Sequence, residues 1–64
     1  MTIGERIKDY TSERGIKQAF LAEKIGCDNS KMSKILNGTQ EIGADELFLI
    51  SKALGVPMET FCTD

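Results

Sequence analysis

The sequence has 64 residues, 41% of them apolar and 28% charged, with a formal net charge of −2. A chain of this length is expected to be one small domain, 1–64, burying about 60% of the surface it exposes unfolded, which leaves no room for a deep substrate cavity. The charge excludes nucleic-acid or membrane binding through bulk basicity, and two cysteines without any histidine exclude a four-ligand Cys/His zinc site.

Helix signals follow one another along the chain, and no strand signal interrupts them. Ile3, Ile7, Tyr10, Thr11 and Arg14 recur on one face of a first helix, with Thr2 as N-cap and Glu5 completing a capping box. Gly15 stops it. A second short helix, Gln18 to Ile25, carries Leu21, Ala22 and Ile25 on one side and ends at Gly26, where positive φ is easily accommodated. Asp28 or Asn29 caps a third helix running to Asn37, with Met32, Ile35 and Leu36 inward, and Asn37-Gly38 closes it. Thr39 to Ala44 reads as a loop, and Asp45 and Glu46 stand where a helix N-terminus favours negative charge. The fourth helix buries Leu47, Ile50, Ser51 and Leu54, with Phe48 and Ala53 at its border, and stops at Gly55. Pro57 opens a fifth helix, to Phe61 or Cys62, with Val56, Met58 and Phe61 inward. The expected fold class is all-α, five short helices in one globule.

Charge is unevenly distributed along this plan. Between Arg14 and Lys34 the cations Arg14, Lys17, Lys24, Lys31 and Lys34 outnumber Glu23 and Asp28, a net +3. From Ile35 onward only Lys52 opposes Glu41, Asp45, Glu46, Glu59 and Asp64, a net −4. The second and third helices therefore form a basic island between acidic flanks.

An enzymatic role finds no support. Without histidine, acid–base work would fall to Asp, Glu, Lys, Tyr or Cys, and no pair of these stands at a catalytic spacing. The glycines form neither GxxxxGK nor GxGxxG, so no cofactor or metal is expected. Cys27 reads as a small buried apolar residue. No apolar run approaches 18 residues and the N-terminus lacks the plan of a signal peptide, so no membrane association is expected and the cytoplasm is the expected compartment.

Two short helices separated by a brief turn containing Gly make the helix-turn-helix motif. Ala22 is small where the helices must cross closely, Gly26 sits at the turn, and Cys27, Met32 and Ile35 are apolar where the third helix packs on the second. The alternative is an ordinary αα-hairpin.

The run from Gln18 to Gly38, QAFLAEKIGCDNSKMSKILNG, resembles the phage repressor and Cro type of DNA-binding domain, the lambda-repressor-like or XRE type. The likeness extends to Ile3-Gly4-Glu5-Arg6-Ile7-Lys8 in the first helix and to Leu47-Phe48 with Ile50-Ser51-Lys52-Ala53-Leu54-Gly55-Val56 in the fourth. It implies a five-helix bundle that binds a pseudo-palindromic double-stranded operator as a dimer, with the third helix, about 29–37, in the major groove.

On that helix the outward residues near the N-terminus are Asn29, Ser30, Lys31 and Lys34, the candidates for reading bases, with Ser33 a weaker one. Asn pairs bidentately with adenine and Lys donates to guanine O6 and N7. The resemblance assigns a phosphate to Gln18 and the amides opening the second helix, with Lys17, Asn37 and the Gly38 and Thr39 amides as corresponding candidates. It also places the dimer interface on the last helix, at Met58, Phe61 and Cys62.

Three departures from the family pattern stand out. Lys17 replaces a capping Ser or Thr, Leu36 stands where Glu is common, and Phe20 and Leu49 are apolar where polar residues are usual. At Lys17 a phosphate contact is expected to replace the cap; Leu36, Phe20 and Leu49 fill core edges or, if exposed, Phe20 or Leu49 docks a protein partner or a second protomer. The two function classes are thus a sequence-specific transcriptional regulator, most often a repressor, and a protein-interaction module of the same fold, antitoxin-like or anti-repressor.

Overall fold

A computed structural model describes residues 1–62, so the last two residues of the expected 1–64 domain lie outside it. Five helices run in order: α1 (Ile3–Glu13), α2 (Gln18–Ile25), α3 (Asn29–Leu36), α4 (Ala44–Leu54) and α5 (Glu59–Cys62). The described residues hold no strand.

The capping box at the start of α1 forms as the sequence requires. The Thr2 hydroxyl accepts from the Glu5 amide at 3.1 Å, and the Thr2 amide donates to Glu5 Oε1 at 2.8 Å. That amide bond is the main cause holding the Glu5 carboxyl below its usual pKa. At the end of α2, Gly26 adopts φ 73°, and the Cys27 amide turns back to the Ala22 carbonyl at 3.0 Å. A side chain there would be strained in this left-handed conformation, so glycine sets the angle at which α3 leaves α2.

The core comprises Ile7, Leu21, Ala22, Met32, Ile35, Leu36, Leu47, Ile50 and Phe61. Every helix contributes to it, with α3 packed on α1 and α2, α4 on α2, and α5 on α1. Leu36 is thus a core residue, which accounts for an apolar side chain where the family often has Glu. Gly4 marks the tightest crossing: a Cβ there would land on the Ile35 carbonyl, so α1 approaches the backbone of α3 directly.

Four boundaries differ from expectation: α1 ends at Glu13 with Arg14 as its C-cap, α4 begins at Ala44, which was expected in the loop, and α3 and α5 differ as follows. Helix α3 ends at Leu36, with Asn37 as its C-cap. Helix α5 begins at Glu59 rather than Pro57, because Pro57 and Met58 form a leading turn in which the Thr60 and Phe61 amides bond three residues back, at 3.0 Å each.

Ser51 is buried at 3% exposure, and its hydroxyl finds no hydrogen-bond partner. A buried hydroxyl left unpaired costs about 1–3 kcal/mol, whereas Ala at this position keeps the helix and removes the orphan. Ser51→Ala is therefore expected to stabilise the domain by about 1 kcal/mol and raise its melting temperature by roughly 4–8 °C in a thermal scan. A fall in melting temperature would show that the hydroxyl is satisfied in solution.

Candidate nucleic-acid interface

Helix α3 presents a polar face because its apolar residues are spent on the core. Met32, Ile35 and Leu36 point inward. At about 100° per residue, Ser30 and Lys34 stand at the centre of the opposite face, with Ser33 and Asn37 toward α1 and Lys31 toward α4. Asn29, Ser30, Lys34 and Asn37 are exposed, while Ser33 and Lys31 are half-buried. Asp28 caps the helix, its Oδ1 accepting from the Lys31 amide at 2.8 Å.

Of the expected base readers, Lys31 stands apart. Its Nζ lies 2.7 Å from Glu46 Oε2 on α4, and its side chain is 39% exposed against 16% for Glu46. The other Glu46 oxygen accepts from the Gly43 amide at 2.9 Å, so one carboxylate closes the start of α4 and ties it to α3. This ion pair turns the Lys31 ammonium toward α4. The hydrogen bond from Lys31 holds the Glu46 carboxyl below its ordinary pKa, with help from the Gly43 amide, and the same bond raises the pKa of the Lys31 ammonium.

A depressed carboxyl pKa adds stability above the unfolded value of about 4.3, and that stability disappears as pH falls through the lower folded value. Glu46→Gln keeps an oxygen for Gly43 but loses the charge facing Lys31. The variant is therefore expected to be less stable than wild type at pH 7, with the gap closing below about pH 4 in denaturant titrations. A gap constant from pH 7 to pH 3 would deny the pair its charge-dependent role.

The phosphate candidates divide. Helix α2 has no side-chain cap: the Lys17 side chain, exposed at the N-cap position, makes no bond to the helix amides, and only the Lys17 carbonyl accepts one, from Phe20 at 3.1 Å. These amides and the Lys17 charge together suit an anion. Gln18 Nε2 donates to the Asn29 carbonyl at 3.0 Å, fixing the start of α2 against the start of α3 and leaving one N–H for a phosphate. The Gly38 and Thr39 amides are corrected out of the role. They donate to the Ile35 carbonyl at 3.1 Å and the Lys34 carbonyl at 2.9 Å, closing the end of α3. The Thr39 hydroxyl also donates to the Lys34 carbonyl, at 3.2 Å.

Two residues that the sequence did not place beside the candidates on α3 bond to them. Lys8 reaches from α1 to Asn37 Oδ1 at 3.1 Å, and Glu46 holds Lys31. The available signal for Lys8 was its position next to the inward-facing Ile7, but only the packing of α1 against α3 places it beside Asn37.

Cys27 packs against the core at the turn, and desolvation raises its thiol pKa, which keeps it neutral. Among the described residues no group of three or more Cys, Asp or Glu could hold a metal, and no helix is long and apolar enough to cross a membrane.

At the far end of the molecule Phe61 is 1% exposed, with its ring edge-on to Tyr10 at 5.4 Å. It is therefore core, and the expectation that it forms a dimer contact is corrected. Met58 is half-buried and Cys62 exposed. Met58 shares an apolar groove with Phe48, Val56 and Pro57. Phe20 and Leu49 are exposed, at 39% and 40%, so neither fills the core. Phe20 flanks a separate open groove with Ile16, Ala53 and Leu54, in which Leu49 takes no part.

An α-helical bundle carrying a polar helix on a glycine turn beside an uncapped helix N-terminus defines a helix-turn-helix domain. The helix-turn-helix family model matches residues 7–61, and the chain belongs to that family, in its Cro and lambda-repressor-like, XRE branch. The chain is 32% identical over 62 residues to an uncharacterized transcriptional regulator in the ATPase CF(0) region of Rhodospirillum rubrum, covering 97% of this chain and 57% of that protein. It is 34% identical over 62 residues to uncharacterized HTH-type transcriptional regulators of Sinorhizobium medicae and Rhizobium meliloti, covering 97% of this chain and 45% of each. The chain thus spans about half the length of these curated relatives.

Proposed function

We propose that this domain is the DNA-binding part of a non-enzymatic transcriptional regulator that acts in the cytoplasm and represses by occupying an operator. The observation that carries the reading is the exposed polar face of α3, held by Gln18 on one side and by the core on the other. Asn29, Ser30 and Lys34 read bases in the major groove, Asn29 suiting adenine and Lys34 suiting guanine. Lys17 and the uncapped amides of α2 hold a backbone phosphate, with Gln18 adding its remaining N–H. The longer relatives, named as transcriptional regulators, support the same reading.

The domain binds as a dimer through Met58 and Cys62. Its Cα extents are 26 × 23 × 22 Å. With about 3 Å of side chain on each face, two touching copies have their centres roughly 30 Å apart, close to the 34–36 Å between half-sites one helical turn apart. The groove of Phe48, Val56, Pro57 and Met58 offers the apolar surface for that contact.

Selection from random duplex DNA tests this reading. The expected result is an enriched, two-fold symmetric site, for which Asn29→Ala relaxes preference at one position by about 1–3 kcal/mol. No enrichment and no salt-sensitive binding would leave the second reading, a protein-interaction module contacting a partner through Phe20 and Leu49, which their exposure favours.

A further inference from the structure

Lys8, Asn37 and Ser33 form a connected polar chain across the α1–α3 boundary. Lys8 Nζ donates to Asn37 Oδ1 at 3.1 Å, and Asn37 Nδ2 donates to Ser33 Oγ at 3.3 Å. An ammonium group has donors and no acceptor, so the carboxamide can face Lys8 only with its oxygen. This fixes the Asn37 amide and leaves Nδ2 pointing at Ser33.

The Ser33 oxygen is then an acceptor within the protein, and its proton is left for an outside group. The buried Thr11 hydroxyl, in contrast, returns its proton to the Ile7 carbonyl at 2.9 Å. The cluster thus offers outward donors from three side chains: the remaining Lys8 protons, the second Asn37 N–H and the Ser33 hydroxyl. Lys34 stands beside Ser33 on α3 and adds a second positive charge. On α1, Glu5 feels the Lys8 charge; its Oε1 accepts from the Thr2 amide, and the carboxylate lies beside Gly38.

We infer that Lys8, Asn37 and Ser33 form a clamp for a DNA backbone phosphate at the C-terminal end of α3, an inference that rests on the DNA-binding reading. A phosphate oxygen only accepts, which matches the donors that Lys8, Asn37 and Ser33 turn outward. The N-terminal residues of a recognition helix face the base edges, so a cluster at its other end, with Lys8 supplied by α1, meets the groove wall. Ser33 thereby moves from base reading to backbone positioning. Lys8 supplies the contact that the committed Gly38 and Thr39 amides do not.

The test titrates wild type, Lys8→Gln, Ser33→Ala and the double variant against the selected duplex and a scrambled one over a range of salt. Lys52→Gln serves as the charge control, because Lys52 lies on α4 beside the α5 groove. All five chains are checked for helicity by circular dichroism, and Lys8 is exposed, so its loss leaves the core intact.

Lys8→Gln is expected to reduce the log–log salt slope by about 0.9, equivalent to about eightfold weaker binding at 0.1 M salt relative to 1 M, and equally on both duplexes. Ser33→Ala should lose less, again on both duplexes, and the double variant less than the product of the single losses. Lys52→Gln should keep the wild-type slope. A wild-type slope in Lys8→Gln, a loss matched by Lys52→Gln, or a loss confined to the selected duplex would each overturn the clamp while the DNA-binding reading stands. Wild-type protein that binds neither duplex at any salt overturns the reading and the clamp together.

Discussion

Gly4→Ala is expected to destabilise the domain by about 3 kcal/mol, lowering its melting temperature by roughly 12–24 °C. The sign is informative, because Gly→Ala inside an ordinary helix stabilises by up to about 1 kcal/mol. Here the added methyl would meet the Ile35 carbonyl, a backbone atom in the last turn of α3 that no rotamer change can move aside. Relief requires α1 and α3 to separate, and Ile7 and Ile35, both fully buried, lie in the core that these helices share. The same displacement would carry Lys8 away from Asn37, so DNA affinity should fall even where the variant remains folded. A Gly4→Ala variant as stable as wild type, or more stable, would show that the helices have slack at this crossing.

That crossing also shows what the sequence could and could not reveal. Local features were legible because each has a short-range cause: the Thr2 and Glu5 box, the glycine stops at Gly26 and Gly55, and the inward positions Met32, Ile35 and Leu36 follow from spacing within one element. Contacts between elements were not. Gly4 looks like any poor helix former until α3 is placed against it. The Lys31–Glu46 and Lys8–Asn37 pairs join residues 15 and 29 positions apart, with no periodicity to connect them.

Turn amides posed a similar problem. Gly38 and Thr39 have the residue types of an exposed turn, but closing the end of α3 uses their N–H groups before any phosphate arrives. The positions that departed from the family pattern also separated only in three dimensions. Leu36 entered the core, while Phe20 and Leu49 stayed at the surface.

Phe61→Ala is expected to cost about 3–5 kcal/mol, close to the whole stability of a domain this small. The ring is among the largest fully buried side chains, and its edge-to-face contact with Tyr10 ties α5 to α1. Arg14 covers the Tyr10 ring, its guanidinium carbon 3.6 Å from the ring centroid, so removing Phe61 also loosens the end of α1. Loss of a dimer after this substitution would therefore reflect unfolding and would not identify an interface.

Denaturation at several protein concentrations separates the two effects, since stability supplied by a partner subunit varies with concentration and stability supplied by the monomer core does not. The Phe61→Ala loss should be the same at every concentration. Met58→Ala, at a half-buried position beside the groove, should cost less and should abolish whatever concentration dependence the wild type shows. A Phe61→Ala loss that grew with protein concentration would return Phe61 to the interface and require α5 to open away from Tyr10 when two copies meet.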